Sequence, residues 1–397
     1  MTFESLIDDA ARLLPEIVDL RRALHRNPET GLRLPGTKAL VLEALAGLPL
    51  RVVEHTETSG VVAVLEGAEP GPTVLLRGDM DGLPMTEDTG LEYASVTGDT
   101  MHACGHDMHT AMLVGAARML SDRRDELSGS VVFMFQPGEE GYHGARYMIE
   151  EGLLEVTGER PVIGLAIHVT TIVESGKLAV RSGPMMASAD QLAVRIVGAG
   201  GHASRPDGAN DPVAIAAEII TAIQTAVTRK INVFDPAVCT ITSVDAGSAH
   251  NIIPERVVLR GTIRALSADT RARMHELVPQ VVDGVCAAHG AAGEVRIENG
   301  YPVTVNDPAA TAELLLAAQS LVGTSRIVNL ANPSMGGEDW SYVLEHVPGA
   351  MFFLGACPPD QSPDTAPYNH SNIVRFDEEA MVTGMAFYSA AVLQRLQ

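Results

Sequence analysis

Short runs rich in Val, Ile, Leu and Phe recur at 61–65, 73–77, 131–136, 162–168 and 177–181, and helix-spaced segments lie between and around them. Strands of that length alternating with helices predict an α/β architecture, with a mainly parallel sheet and helices on both faces. Residues 4–26 carry Leu6, Ile7, Ala10, Leu13, Leu14, Ile17 and Leu20 at helical spacing, with a bend expected near Pro15. A second helix is expected over about 37–47, and a third from Cys104 to about Leu127.

In open sheets of this kind, ligands gather beyond the carboxyl ends of the strands. Here strand 73–77 runs into GDMDGLP with Asp79 and Asp81, strand 131–136 into QPGEEG with Glu139 and Glu140, and strand 162–168 closes on His168. The stretch 101–110, MHACGHDMHT, adds three histidines, a cysteine and an aspartate just ahead of the apolar segment AMLVGAARML. Thiolate, imidazole and carboxylate are the groups that hold transition metals. Cys104 and His106 can face one side of an extended loop, while Asp107 and His109 enter the first helical turn. A helix cap with a spare histidine is the plainer reading, but it does not account for Cys-Gly-His-Asp flanked by two further histidines. Glu139 and Glu140 are neighbours, so one can hold a metal while the other acts as general base toward a water whose pKa the metal lowers to about 7. Asp81 and Asp107 are read as carboxylates that orient ligand imidazoles, Asp81 in competition with an Asx turn before Gly82.

Beyond residue 187 the pattern changes. Strand QLAVRIVG, the turn AGGHASRP, a helix over 212–227, strands 237–244 and 255–264, a helix over 269–289 and strand 294–299 give the order β-α-β-β-α-β of a ferredoxin-like α+β unit. At 397 residues two domains are the natural expectation. Residues 187–300 are accordingly read as a domain inserted into a discontinuous first one, 1–186 and 301–397. That first domain resumes with helix 308–322, a helix in GGEDWSYVLEHV, strand 350–354, the segment PYNHSN with His370, and helix 377–395.

A balance of 28 basic against 50 acidic residues, net −22, argues against nucleic acid or anionic membranes as partners. The acidic, amphipathic start is not a signal peptide, and no run of about 18 apolar residues predicts a membrane span. Cys104, Cys239, Cys286 and Cys357 lack paired spacing, which fits free thiols in a reducing cytoplasm.

GDMDGLPM, HACGHDMHTAML, FQPGEEG, His168, GHASRP, NIIP and NHSN, in that order, resemble the M20 metallopeptidase family. More narrowly they resemble its amidohydrolase branch of hippurate hydrolases, N-acyl-amino-acid amidohydrolases and auxin-conjugate hydrolases. The resemblance implies two divalent metal ions held by Cys104, His106, Glu140, His168 and His370, with Glu139 as catalytic base. Zinc suits the thiolate and manganese the oxygen and imidazole ligands, with cobalt or nickel also admissible. Other branches carry a histidine where Asp79 stands, so the resemblance assigns no role to Asp79 or Asp81. It further implies that the inserted domain is a lid that mediates assembly of a homodimer or higher homo-oligomer. His202, freed by Gly200 and Gly201, would donate to the developing oxyanion. Asn251 and Arg264 would bind substrate, Arg264 through the free carboxylate that a guanidinium fork suits. The implied reaction is hydrolysis of an N-acyl amino acid, a small molecule, to a carboxylic acid and an amino acid. A dipeptidase or an N-acetyl-diaminopimelate-type deacetylase is the near alternative. A thiol hydrolase built on Cys104, which would leave Glu139, Glu140, His168 and His370 idle, and a non-catalytic binding protein are the remote ones.

Overall fold

The computed structural model describes residues 3–397. The chain divides into two compact units, one of Met1–Met185, Val305–Asn332 and Asp339–Gln397, the other of Met186–Thr304 and Pro333–Glu338. Strands and helices are numbered along the whole chain. The strands of the first unit are β1 (Arg51–Glu54), β2 (Val61–Glu66), β3 (Glu69–Asp79), β4 (Ser128–Gln136), β5 (Ile163–Glu174), β6 (Leu178–Val180), β15 (Ile327–Asn329) and β16 (Gly349–Cys357). The short strands β7 (Gly183–Met186) and β14 (Thr304–Asn306) lie where the chain passes from one unit to the other.

The eight strands form one sheet in the order β1-β2-β4-β3-β5-β16-β6-β15. β3 pairs in parallel with both β4 and β5, β5 with β16, and β6 with β15; the β1–β2, β2–β4 and β6–β16 pairs are antiparallel. The sheet is therefore mixed and mainly parallel, as the alternation of strands and helices predicts. Helices α1 (Glu4–Arg26), α3 (His106–Ser121), α7 (Pro308–Val322) and α9 (Ala380–Leu396) pack on one another, with α2 (Pro35–Leu45) against α3. The shorter α4 (Gly144–Glu150) and α8 (Trp340–Leu344) pack together, against β4 and β5 respectively. Among the described residues no helix is long and apolar enough to cross a membrane.

Four elements differ from expectation. The helix expected to start at Cys104 starts at His106, because Gly105 takes φ 89 and cannot continue a right-handed helix backward. Its far end stops at Ser121, and a 3-10 turn, Arg124–Glu126, covers the rest. Strand β5 does not close on His168 but runs to Glu174. Its pairing with β3 ends at Arg77↔Ala166, while pairing with β16 continues through Phe353↔His168, so His168 sits where one neighbour has ended and the other has not. The helix expected in GGEDWSYVLEHV shrinks to Trp340–Leu344, and α1 continues unbroken across Pro15.

The second unit contains β8 (Ala189–Val197), β9 (Gly201–His202), α5 (Pro212–Lys230), β10 (Ala237–Ala246), β11 (Ile252–Ile253), β12 (Arg256–Ala265), α6 (Ala268–Ala288) and β13 (Ala292–Tyr301). Four of these strands form an antiparallel sheet, β10-β12-β8-β13, which is the ferredoxin-like order. Its core joins Leu192, Val194, Val257 and Leu259 of the sheet to Ile219 of α5 and Val282 of α6. Asp211 caps α5 by accepting from the Val213 N–H, and Ser267 caps α6 by accepting from Thr270.

In the first unit, 14 of the 16 residues of α3 are buried, so its first turn is not a solvated cap. That turn is tied to α1 by charge. Arg21 Nε stands 2.7 Å from Asp107 Oδ2, and His25 Nδ1 donates to the same oxygen at 2.7 Å. The other ring nitrogen of His25 faces Glu87 Oε1 at 3.3 Å. Burial pushes the His25 imidazole down, but Asp107 and Glu87 outweigh it and raise it above its ordinary value. Burial likewise pushes the Glu87 carboxyl up, and hydrogen bonds from His25, the Ser95 N–H and the Thr89 hydroxyl overcome that and pull it to about 2. An ionised Glu87 thus stabilises the fold above its unfolded-chain pKa of about 4.3, and this contribution is lost as pH falls through the folded value of about 2. The Glu87→Gln variant is expected to melt below wild type near neutral pH, with the two melting temperatures converging as pH is lowered from about 5. A gap that stays constant across that window would mean the Glu87 charge contributes nothing.

Candidate metal centre

Because β4, β3 and β5 run in parallel, the segments that leave their carboxyl ends reach the same edge of the sheet. Asp79 is the last residue of β3, Glu139 and Glu140 follow the end of β4, and His168 lies just past the last β5 residue paired with β3. Cys104 Sγ stands 3.4 Å from His168 Nε2 and 3.2 Å from His370 Nε2. His370 Nε2 is also 3.2 Å from Glu140 Oε1, and His106 Nε2 is 4.0 Å from that same oxygen. The donor atoms of Cys104, His106 and His168 lie within 4.8 Å of one another, as do those of Cys104, Glu140 and His370, and those of His106, Glu139 and Glu140. The structure therefore brings together six residues singled out in the sequence, and two of the triads share Cys104.

Local backbone chemistry sets this arrangement. A Cβ on Gly105 would stand 2.3 Å from Val169 Cγ2, so glycine is the residue that fits between Cys104 and His106. His370 adopts φ 70, a left-handed conformation uncommon for a side-chain-bearing residue. It is held there by its own N–H, which donates to Ala103 O at 2.9 Å, and by Asn369, whose amide donates to Cys104 O at 3.1 Å and Val169 O at 3.0 Å. Both oxygens of Asp81 accept backbone N–H groups, one from Glu139 and one from Glu140, each at 3.0 Å. Asp81 Oδ1 is also 3.3 Å from His106 Nδ1, which leaves Nε2 as the nitrogen of His106 turned toward Glu140. Asp107 holds the imidazole of His25, not one of the donor cluster.

Both ring nitrogens of His106 are buried without a well-formed hydrogen bond; Nδ1 faces Asp81, and Nε2 faces Asp79 Oδ2 at 3.5 Å and Glu140 Oε1 at 4.0 Å. His370, hydrogen-bonded to Cys104 and Glu140, is pushed up to about 10, whereas burial holds the His168 imidazole far down. A proton on His370 is thus the positive charge that the surrounding thiol and carboxylate call for, and a divalent cation can take its place. One thiolate, three imidazoles and a carboxylate form a donor set that suits a borderline transition metal. The residues present fit a metal centre.

The other sequence candidates lie in the second unit. His202 is exposed on β9, where its Nδ1 accepts from Ser204 N at 3.1 Å and pairs with Ser204 Oγ at 2.8 Å. β9 pairs with β11, and Ala203 N donates to Asn251 O at 3.1 Å, so His202 and Asn251 share one short ladder. Arg264, near the end of β12, donates from Nη1 to Met335 O at 2.8 Å.

Sequence reasoning passed over Arg77, Asn369, Arg21 and His25. Arg77 left a signal, a charge inside the apolar strand VLLRGD, because a buried arginine needs partners. It donates from Nε to Gln136 Oε1 at 2.9 Å, and its Nη2 stands 3.1 Å from Asp339 Oδ1. Asp339 also accepts from Ala145 N at 2.9 Å, which fixes the start of α4 behind the glutamate turn.

Residues 75–394 match peptidase family M20/M25/M40. Thermostable carboxypeptidase 2 of Saccharolobus solfataricus is 37% identical over 385 residues, covering 96% of this chain and 95% of the relative. An N-acyl-L-amino acid amidohydrolase of Geobacillus stearothermophilus is 37% identical over 308 residues, 77% of this chain and 82% of the relative. A solved Bacillus subtilis structure, described as a dinuclear metal binding peptidase from the M20 family, matches with a TM-score of 0.81 at 30% identity over 96% of this chain and 98% of that one. The fold thus has its counterpart in known proteins, and the chain belongs to the M20/M25/M40 peptidase family, as an amidohydrolase-type member.

Proposed function

We propose that the protein hydrolyses the amide bond of N-acyl amino acids, at a centre where Cys104, His106, Glu140, His168 and His370 hold two divalent metal ions. The observation that carries this reading is the pair of donor triads sharing Cys104, with the Glu139 carboxylate in reach of His106 and Glu140. The Geobacillus relative, by its name an N-acyl-L-amino acid amidohydrolase, supports the substrate class, and the Bacillus structure supports two ions. The Saccharolobus relative, by its name a carboxypeptidase, supports a second reading in which the acyl group is itself an amino acid or peptide.

Bound divalent ions supply Lewis acidity, lowering the pKa of water toward about 7 and polarising the acyl oxygen. The chain's own residues do the rest. Glu139 is 6% exposed, and its backbone is fixed by Asp81, so its carboxylate is pre-positioned beside the donors. It takes the proton of the attacking water and delivers it to the amide nitrogen as the C–N bond breaks. In the second unit, His202 is proposed as donor to the acyl oxygen, and Asn251 and Arg264 as the groups that hold the amino-acid portion, Arg264 through its carboxylate. That unit is further proposed to serve as lid and as the contact of a homodimer. All four cysteines are buried and unpaired, and a reducing cytoplasm is the proposed setting.

Chelation with EDTA is expected to abolish cleavage of a panel of N-acetyl, N-benzoyl and N-indoleacetyl amino acids, and returning Mn²⁺ or Zn²⁺ to restore it. Activity that survives EDTA but dies with a thiol alkylator would instead make Cys104 the nucleophile. On the same panel, acyl amino acids should be cleaved faster than dipeptides; the opposite ranking would favour the carboxypeptidase reading. The Glu139→Gln variant should lose about 100- to 10,000-fold in kcat while keeping its metal content and a near-normal KM. Wild-type kcat in that variant would remove Glu139 from proton transfer.

A further inference from the structure

Asp79, to which the resemblance assigned no role, is fully buried, as is His109. Asp79 Oδ1 accepts from His109 Nδ1 at 2.5 Å, while Oδ2 faces Arg77 Nη1 at 2.5 Å and His106 Nε2 at 3.5 Å. On the far side of the ring, His109 Nε2 accepts the Val169 N–H at 2.8 Å. A backbone N–H can only donate, so Nε2 is the bare nitrogen and Nδ1 carries the proton given to Asp79. His109 is thereby fixed as one neutral tautomer. By distance alone Asp79, His106 and His109 form another triad able to hold an ion. The guanidinium of Arg77 already neutralises Asp79, however, and both nitrogens of His109 are engaged, so His109 has no lone pair to offer.

The hydrogen bond to Val169 falls at a particular place. Pairing of β5 with β3 ends at Ala166, and His109 accepts from β5 three residues further on. One residue before Val169 is His168, whose Nδ1 donates to Val169 O at 2.8 Å. Between these two points, Tyr388 accepts the Ile167 N–H at 3.2 Å and donates to Arg77 O at 2.6 Å, a second bridge from β3 to β5. Where the sheet ladder stops, side chains continue it.

We propose that Asp79 and His109 are positioning residues, a chain from Arg77 through Asp79 and His109 to the Val169 N–H that sets the course of β5 just beyond its pairing with β3 and so aims His168 into the donor cluster. The inference rests on the reading of His168 and Cys104 as metal donors. It gives Asp79 a task without making it a ligand, and it separates His109 from His106 although both belong to one helical turn.

The chain of hydrogen bonds can be cut on either side of the ring. An asparagine at 109 places its amide nitrogen near the position of Nδ1 and keeps only the bond to Asp79. A glutamine places its carbonyl oxygen near that of Nε2 and keeps only the bond from Val169. Stripped wild type, His109→Asn, His109→Gln and Asp79→Asn would be titrated with Mn²⁺ by calorimetry, with circular dichroism as the check on folding. Each variant is expected to bind Mn²⁺ about 10- to 100-fold more weakly, to reach the same number of ions as wild type at saturation, and to regain most of its kcat there, a rescue that a merely unfolded protein would not show. Unchanged Mn²⁺ affinity in both His109 variants overturns the proposal, and so does a saturating stoichiometry that falls by one, which would make His109 a ligand. Should the variants fail to fold, metal-loaded wild type decides by crystallography: His109 Nε2 hydrogen-bonded to Val169 N supports the proposal, and Nε2 at about 2.1 Å from an ion overturns it. Wild type that binds neither Mn²⁺ nor Zn²⁺ overturns the metal reading and this role together, whereas tight wild-type binding with unaffected variants overturns this role alone.

Discussion

The parallel pairing of β3 with β4 on one side and β5 on the other is the constraint on which the rest depends. Its register sets Asp79 opposite Gln136 and Arg77 opposite Ala166. A parallel neighbour can be reached only by a crossover of a dozen residues or more. After β3, that crossover is the loop and helix that end in β4, so the first turn of α3 begins at the edge where β3 ends. Cys104, His106 and His109 arrive there for the same reason that Asp79, Glu139 and Glu140 do. The donor cluster is a consequence of topology before it is a consequence of any single side chain.

Charge then sorts the residues at that edge. Asp107 is matched by Arg21 and His25, and Asp79 by Arg77; each match is buried and short. In a low-dielectric interior such pairs hold only when both partners stay in place. Cys104 and Glu140 are met by imidazoles instead, from His106, His168 and His370, which yield a proton far more readily than a guanidinium. The acids matched by arginine become structure, and those matched by histidine remain open to exchange with a cation.

Much of this was legible in the sequence. Strand positions followed from the runs of apolar residues, the edge from the polar residues that end each run, and the donors from their chemical type. Gly105 was visible between Cys104 and His106, but its left-handed conformation, which moves the helix start by two residues, was not. The extension of β5 past His168 could not be read, because it depends on β16, far along the chain. Least legible were the pairings of distant side chains: His25 with Asp107 across 82 residues, and Arg77 with Asp339 across 262. Histidine was conspicuous in MHACGHDMHT, yet only His106 joins the donors; His109 faces Asp79, and burial keeps His102 neutral down to about 3.

His370 comes 266 residues after Cys104, on a loop in left-handed conformation, with its side chain 53% exposed. A ribosome builds the chain from the other end, so Cys104, His106, Glu140 and His168 leave the exit tunnel well before it. During that interval the incomplete donor set has an open flank. His370 closes the cluster from a loop that follows the last strand of the sheet, so the sheet itself is held by apolar burial and by the arginine pairs before that loop is in place.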